Sequence, residues 1–181
     1  MALSATVYVF DIRLADADRN VYETLSLRVA RHPSEAEEYL LTRVLAYCLE
    51  FTEGIAFSSG GLSNPDEPAL AVRDLTGVLQ SWIEIGAPDA TRLHKAAKAA
   101  RRVAVYAHKD IDLLLAKLQG ERIHRSEHIE IFAMDRELLT ALAGKLSRRM
   151  QWDLSVAEKN LYITFGDETF SGIVTPRTVG P

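Results

Sequence analysis

Apolar and polar residues alternate along Thr6-Val7-Tyr8-Val9-Phe10-Asp11-Ile12-Arg13, and they alternate again from Tyr22 to Val29. A period of two places successive side chains on opposite faces and marks a strand. The polar run Asp16-Ala17-Asp18-Arg19-Asn20 between the two segments supplies a turn, so the chain opens with a hairpin.

The period then changes. His32-Pro33-Ser34-Glu35 opens a helix to about Glu50, with Ser34 as its expected N-cap and acids in the first turn, where the helix dipole favours them. Residues 58–68 read as a loop. Ala69–Asp74 and Val78–Ile85 read as a second hairpin around Leu75-Thr76-Gly77. Gly86-Ala87-Pro88-Asp89 breaks the pattern and starts a helix rich in alanine and basic residues, to about Arg102. A strand is expected at Val103–His108, a helix at Asp110–Leu118 stopped by Gly120, and a strand at His128–Met134. A helix capped by Asp135 is expected to run to Met150. Trp152–Val156 and Leu161–Phe165 read as a terminal hairpin, with frayed chain after Gly172. The order ββαββαβαβαββ predicts a mixed α/β fold.

The 181 residues suit a single domain over 1–181, and 48% hydrophobic content is enough for a core without disulfide staples. The single cysteine, Cys48, excludes an intramolecular disulfide and fits a reducing compartment. No basic-then-apolar leader and no long apolar run stand out, so a cytoplasmic address is expected, with no membrane association. A net charge of −4 argues against a protein that grips nucleic acid with its whole surface.

Three acids stand out. On a helical wheel Leu40, Leu41, Val44, Leu45, Tyr47, Cys48 and Leu49 share one wide face, and Glu38 falls inside it, as does Glu37. Glu35, Arg43 and Glu50 fall outside. A carboxylate aimed at a core is costly unless paired, hydrogen-bonded or metal-bound; a wet first-turn position is the bland alternative. Asp74 closes the first strand of the second hairpin. Glu84 lies in Trp82-Ile83-Glu84-Ile85, on the face of Trp82. Oxygens from one hairpin suit a hard cation, Mg²⁺ or Mn²⁺; a turn aspartate and a solvent-facing glutamate are the plainer readings. Arg92, Lys95, Lys98 and Arg102 form a basic stripe opposite the apolar face of their helix. Such a stripe either contacts a phosphate backbone or is simply solvated. His124 and His128 lie where loop enters strand and promise no metal site. Gly60-Gly61 lacks the lysine and serine or threonine of a phosphate loop. No small organic cofactor is expected.

The run Ala30-Arg31-His32-Pro33-Ser34-Glu35, the strand Trp82-Ile83-Glu84-Ile85-Gly86 with Pro88-Asp89 behind it, and the basic helix beyond resemble the YaeQ family of bacterial proteins through most of the chain. The fold of that family is similar to that of PD-(D/E)XK, restriction-endonuclease-like nucleases: a central mixed sheet flanked by helices. The resemblance implies catalytic and metal-binding roles for Glu38 as the helix acid, Asp74 as the hairpin aspartate and Glu84 as the second acid. Where those nucleases carry lysine two residues after the second acid, this chain has Gly86. Lys95 on the following helix is the natural stand-in, although the wheel turns it toward water. Arg92 is an alternative cation that could steady a phosphate but not serve as a base.

Two readings remain open. One is a Mg²⁺-dependent phosphodiesterase acting on nucleic acid, with Asp74, Glu84 and Glu38 around the metal and Lys95 beside it. The other is a nuclease-like scaffold without catalysis that binds or regulates, for which Gly86 speaks.

Overall fold

A computed structural model describes residues 4–59 and 64–180; Gly60 and Gly61 lie outside the described residues. The chain order is β1 (Thr6–Asp16), β2 (Val21–Arg31), α1 (Glu37–Leu49), β3 (Ile55–Phe57), β4 (Leu70–Arg73), β5 (Leu79–Ile85), α2 (Ala90–Ala99), β6 (Arg102–Ala107), α3 (Ile111–Leu118), β7 (Glu130–Ala133), α4 (Arg136–Ala143), β8 (Arg149–Ala157), β9 (Asn160–Phe165), β10 (Glu168–Ile173) and β11 (Thr175–Arg177). The fold is mixed α/β, as the order of periods requires. Its strands form two sheets instead of one central sheet, and the chain divides into two compact units.

The first unit comprises Met1–Leu49 and Met134–Thr175. Its sheet has the order β10-β9-β8-β1-β2. The opening hairpin pairs Thr6 with Arg31 through Asp16 with Val21, the register that the alternation demands. β1 also runs parallel to β8. One face of the sheet is apolar: Phe10, Ile12 and Leu14 of β1, Leu25, Leu27 and Val29 of β2, and Trp152 and Leu154 of β8 are buried. Phe10 and Trp152 meet edge to face at 5.0 Å. Helix α1 packs against α4 and β2, and α4 packs against β10. A Cβ at Gly172 would come within 2.8 Å of both the Asp135 and the Leu138 Cβ atoms, so only glycine lets that helix lie so close.

The second unit comprises Glu50–Ala133 and Pro176–Pro181. Its sheet has the order β11-β7-β6-β5-β4-β3. The second hairpin is present, antiparallel, with a bulge at Val72/Arg73. β5, β6 and β7 run parallel. Trp82, Val103, Val105 and Ile131 from the strands pack with Leu93, Ala96 and Ala97 of α2 and Leu114 and Leu118 of α3. Trp82, Ile83, Glu84 and Ile85 are all buried, since a parallel strand is covered on both faces.

Several boundaries depart from expectation. Helix α1 begins at Glu37, and Ser34 sits in the preceding turn with its Oγ 2.7 Å from His32 Nδ1, so it is no cap. The next three helices are capped by Asp89, Asp110 and Asp135, each accepting a backbone N–H three residues on. α2 ends at Ala99, which moves Arg102 from the helix to the start of β6. α4 ends at Ala143 instead of Met150, because Met150, Trp152, Leu154 and Val156 alternate into the core from β8. The chain after Gly172 is paired as far as Arg177 and not frayed there: β10 joins β9, and β11 lies beside β7. β3 was not foreseen, because three residues are too few to show a period.

Candidate functional site

Glu84 is buried and fully engaged. Its Oε1 accepts Trp82 Nε1 at 2.9 Å and Arg92 Nη2 at 2.9 Å, and its Oε2 accepts Arg92 Nε at 2.5 Å. The geometry follows from the sequence. Trp82 and Glu84 share a face of β5 because they are two apart. Arg92 reaches back because Asp89 caps α2 through Arg92 N at 2.8 Å, setting the helix's first turn beside the strand end. The Arg92 guanidinium also lies 5.6 Å from the centre of the Trp82 ring, a cation–π distance. A forked guanidinium on a carboxylate is the strongest of the common charge-assisted pairings.

The same arginine holds a loop. Arg92 Nη2 donates to the Glu67 carbonyl at 2.7 Å, and Nη1 donates to the Pro65 carbonyl at 3.3 Å. Lys95 lies one turn farther along α2. Its Nζ donates to the Pro65 carbonyl at 3.4 Å and pairs with Asp66. Two cations therefore share one carbonyl, Arg92 paired with Glu84 and Lys95 with Asp66. Lys95 holds the Asp66 carboxyl below the usual carboxylate range, first through the hydrogen bond and then through its charge.

Asp74 belongs to the other end of the hairpin. Its Oδ1 accepts Thr76 Oγ1 at 2.6 Å, Thr76 N at 2.9 Å and Val78 N at 3.0 Å, and its Oδ2 accepts Gln80 Nε2 at 2.9 Å. These bonds, led by the Thr76 hydroxyl, lower its pKa. Gly77 supplies the positive φ of 86° that this tight turn needs. β5 separates Asp74 from Glu84: at about 3.3 Å per residue, roughly 15 Å or more of strand lies between them. The expected convergence of Asp74 and Glu84 on one ion is not found. Asp74 is the turn residue of the plainer reading, whereas Glu84 is not the solvent-facing acid of its plainer reading. Among the described residues, no group of three or more His, Cys, Asp or Glu side chains is gathered to hold a metal ion.

Glu38 is half-buried in the first turn of α1, and its carbonyl accepts Thr42 Oγ1 at 2.6 Å. The core-facing acid of this region is Glu35, which the wheel had placed outside the apolar face together with Arg43. Both are buried. Glu35 Oε1 accepts Arg43 Nη2 at 2.6 Å, and Oε2 accepts His32 N at 3.1 Å. The wheel failed because Glu35 precedes the helix, so its direction is set by the turn and not by the 100° period. Burial raises the Glu35 pKa against the opposing pull of Arg43.

The basic stripe is largely spent. Arg92 is committed to Glu84, Lys95 to Asp66, and Arg102 to Glu50 and Glu130, with Tyr106 donating its hydroxyl to Glu50 at 2.6 Å. Lys98 is exposed. His124 N donates to His94 Nδ1 at 3.0 Å, while His128 is exposed beside Glu127. Burial pushes the Cys48 thiol up to about 12, which makes it inert at neutral pH.

Asp66 escaped sequence reasoning because it lies in a segment legible only as loop. The usable signal was spacing along the hairpin: chain that reaches the Glu84 end must come from before β4, not after it. Gly86 has a physical reason as well. Its φ is +97°, a region that side chains other than glycine rarely enter, and its N–H donates to the Tyr106 carbonyl at 2.9 Å. The backbone itself disfavours a lysine there.

The family model described as YaeQ protein matches residues 1–173. The chain is 30% identical over 165 residues to the uncharacterized protein YaeQ of Escherichia coli, covering 91% of each. It is 41% identical over 108 residues to that of Salmonella typhi, covering 60% of this chain and 59% of the relative. The crystal structure of YaeQ protein from Pseudomonas syringae superposes with a TM-score of 0.84 at 31% identity, over 98% of this chain and 97% of the other. That from Xanthomonas axonopodis pv. citri gives 0.85 at 29% identity, over 98% and 100%.

Proposed function

Because the chain belongs to the YaeQ family, whose curated relatives bear the description uncharacterized, its function has to be read from its own residues; we propose that it is a nuclease-like scaffold without catalysis, serving as a binding or regulatory protein. One observation carries this reading: Arg92 already supplies the positive charge that a metal would bring to Glu84. A carboxylate with both oxygens forked by a guanidinium and one capped by an indole N–H gives up three hydrogen bonds before it can ligate an ion. Asp74 would have to abandon its turn as well. The positive φ at Gly86 fits the same reading, since the lysine of the nuclease pattern would be strained there.

A second reading has an observation of its own. Lys95 and Asp66 lie at the Glu84 end of the hairpin, so two acids and an ammonium group share one neighbourhood. In a Mg²⁺- or Mn²⁺-dependent phosphodiesterase, Glu84 and Asp66 would hold the metal, which would lower the pKa of a bound water. Lys95 would steady the attacking group, and Arg92 would swing onto the scissile phosphate. Nucleic acid is the partner proposed for either reading, and its phosphates would have to displace Asp66 from Lys95.

One experiment separates the two. Single- and double-stranded DNA and RNA are incubated with wild type and Glu84→Gln in Mg²⁺ and in Mn²⁺, alongside calorimetric metal titrations. No cleavage and the same null heats from both proteins are expected. Metal-dependent cleavage that Glu84→Gln abolishes would overturn the scaffold reading.

A further inference from the structure

The five-stranded sheet ends in a long, bare edge. In β1, Val9 N donates to the Arg148 carbonyl, so the odd-numbered residues of β1 turn their backbone groups toward β8. The even-numbered residues therefore face β2, where Tyr8, Phe10 and Ile12 pair with Val29, Leu27 and Leu25. Backbone groups alternate sides along a strand. Tyr22, Thr24, Ser26 and Arg28 of β2 thus point their N–H and C=O groups away from the sheet. Their side chains are exposed, with Tyr22 at 62%. The other edges are shorter: β3 and β11 have three residues each, β11 contains Pro176, and β10 has six against the eleven of β2.

We propose that β2 pairs with β2 of a second copy, antiparallel, about a two-fold axis at Leu25. The register follows from three constraints. Residues opposite each other must lie on the same face, so their numbers sum to an even value. The Ala30 carbonyl is already taken by Arg43 Nη2 at 2.8 Å, which disfavours registers that use it. Centring on Leu25 uses Tyr22, Thr24, Ser26 and Arg28 and no others. Thr24 then exchanges hydrogen bonds with the partner's Ser26, and Tyr22 with the partner's Arg28. On the solvent face, Tyr22 lies against the partner's Arg28, an aromatic–cation cross-strand pair made twice by symmetry. Leu25 meets the partner's Leu25 on the apolar face. A two-fold contact of this kind closes on itself, so pairing stops at a dimer whose sheet has five strands from each copy. The proposal is independent of the role of Glu84.

The test is sedimentation velocity of the full chain over a concentration series. Wild type is expected to show a monomer–dimer equilibrium. Ser26→Pro removes an outward N–H without touching the β1 ladder, and should weaken the dimer by about tenfold or more. Ser26→Ala should leave it unchanged. Arg28→Glu or Tyr22→Ala, which do not alter the backbone, should weaken it about threefold to tenfold. Circular dichroism and urea midpoints show whether each variant is folded. A wild type that stays monomeric at the highest soluble concentration, or a dimer indifferent to Arg28→Glu and Tyr22→Ala, would overturn the proposal.

Discussion

The two compact units each bury one glutamate against an arginine eight residues later: Glu35 with Arg43 in the first unit, Glu84 with Arg92 in the second. The first pair is closed. Side-chain exposures are 1% and 11%, and the arginine also donates to the Ala30 carbonyl and lies 5.7 Å from the Tyr39 ring centre. The second pair is open at its arginine end. Exposures are 6% and 27%, and the outer guanidinium nitrogens hold loop carbonyls at Pro65 and Glu67. Similar chemistry thus serves two ends. One pair locks the entry to a helix, and the other ties a loop to a strand end where a ligand could compete for the arginine.

The largest effect should come from splitting the closed pair. Removing one partner of a buried ion pair leaves the other charge unpaired, at a cost of about 3–5 kcal/mol. Glu35→Ala should lose stability on that scale in urea unfolding, whereas Glu35→Leu combined with Arg43→Met should recover most of it. If the double variant is as unstable as the single, the pair does more than satisfy two buried charges. The open pair should be milder: Arg92→Ala should cost about 2–3 kcal/mol, because water reaches Glu84 once the loop is freed. The same variant should raise hydrogen exchange across residues 64–67 before the rest of the second unit opens. Simultaneous opening would show that the loop is not held by Arg92.

Gly86→Lys restores the nuclease spacing but at a φ of +97°, and should cost about 1–3 kcal/mol without conferring metal-dependent cleavage. A neutral substitution would mean that the turn can relax. The smallest effect concerns pH. The folded-state pKa of Asp74 is depressed, so its contribution to stability is present above the unfolded value and lost as pH falls through the folded one. Asp74→Asn should flatten that acid limb of the stability profile. Glu35 has the opposite sign: its raised pKa means stability is lost as pH rises through it, and Glu35→Gln should remove that slope.

Legibility in the sequence followed periodicity. The opening hairpin and the strand Asn160–Phe165 were readable from a period of two, and Arg102–Ala107 from a short apolar run that is buried on both faces. The Asp135 cap is legible in the sequence, whereas Asp89 and Asp110 read only as helix starts, and the role of Ser34 is not legible because Glu35 turns inward and Ser34 Oγ lies against His32. Division into two sheets was not legible, since periodicity says that a strand exists and not which strand it joins. At the site, the choice of Glu84 and its facing Trp82 came from alternation, and both are buried. Asp74 was chosen as the acid that closes the first strand and matches the hairpin aspartate of the resemblance, yet that position is the turn, at the opposite end of β5 from Glu84. Lys95 and Arg92 were correctly placed one turn apart, and the loop that occupies them has no period to read.

The most direct measurement is a crystal structure soaked with Mn²⁺, using the anomalous signal of the metal. The expected result is Arg92 forked on Glu84 with no manganese at that carboxylate. Manganese ligated by Glu84, with Arg92 displaced and Asp66 or Asp74 turned onto the ion, would contradict it.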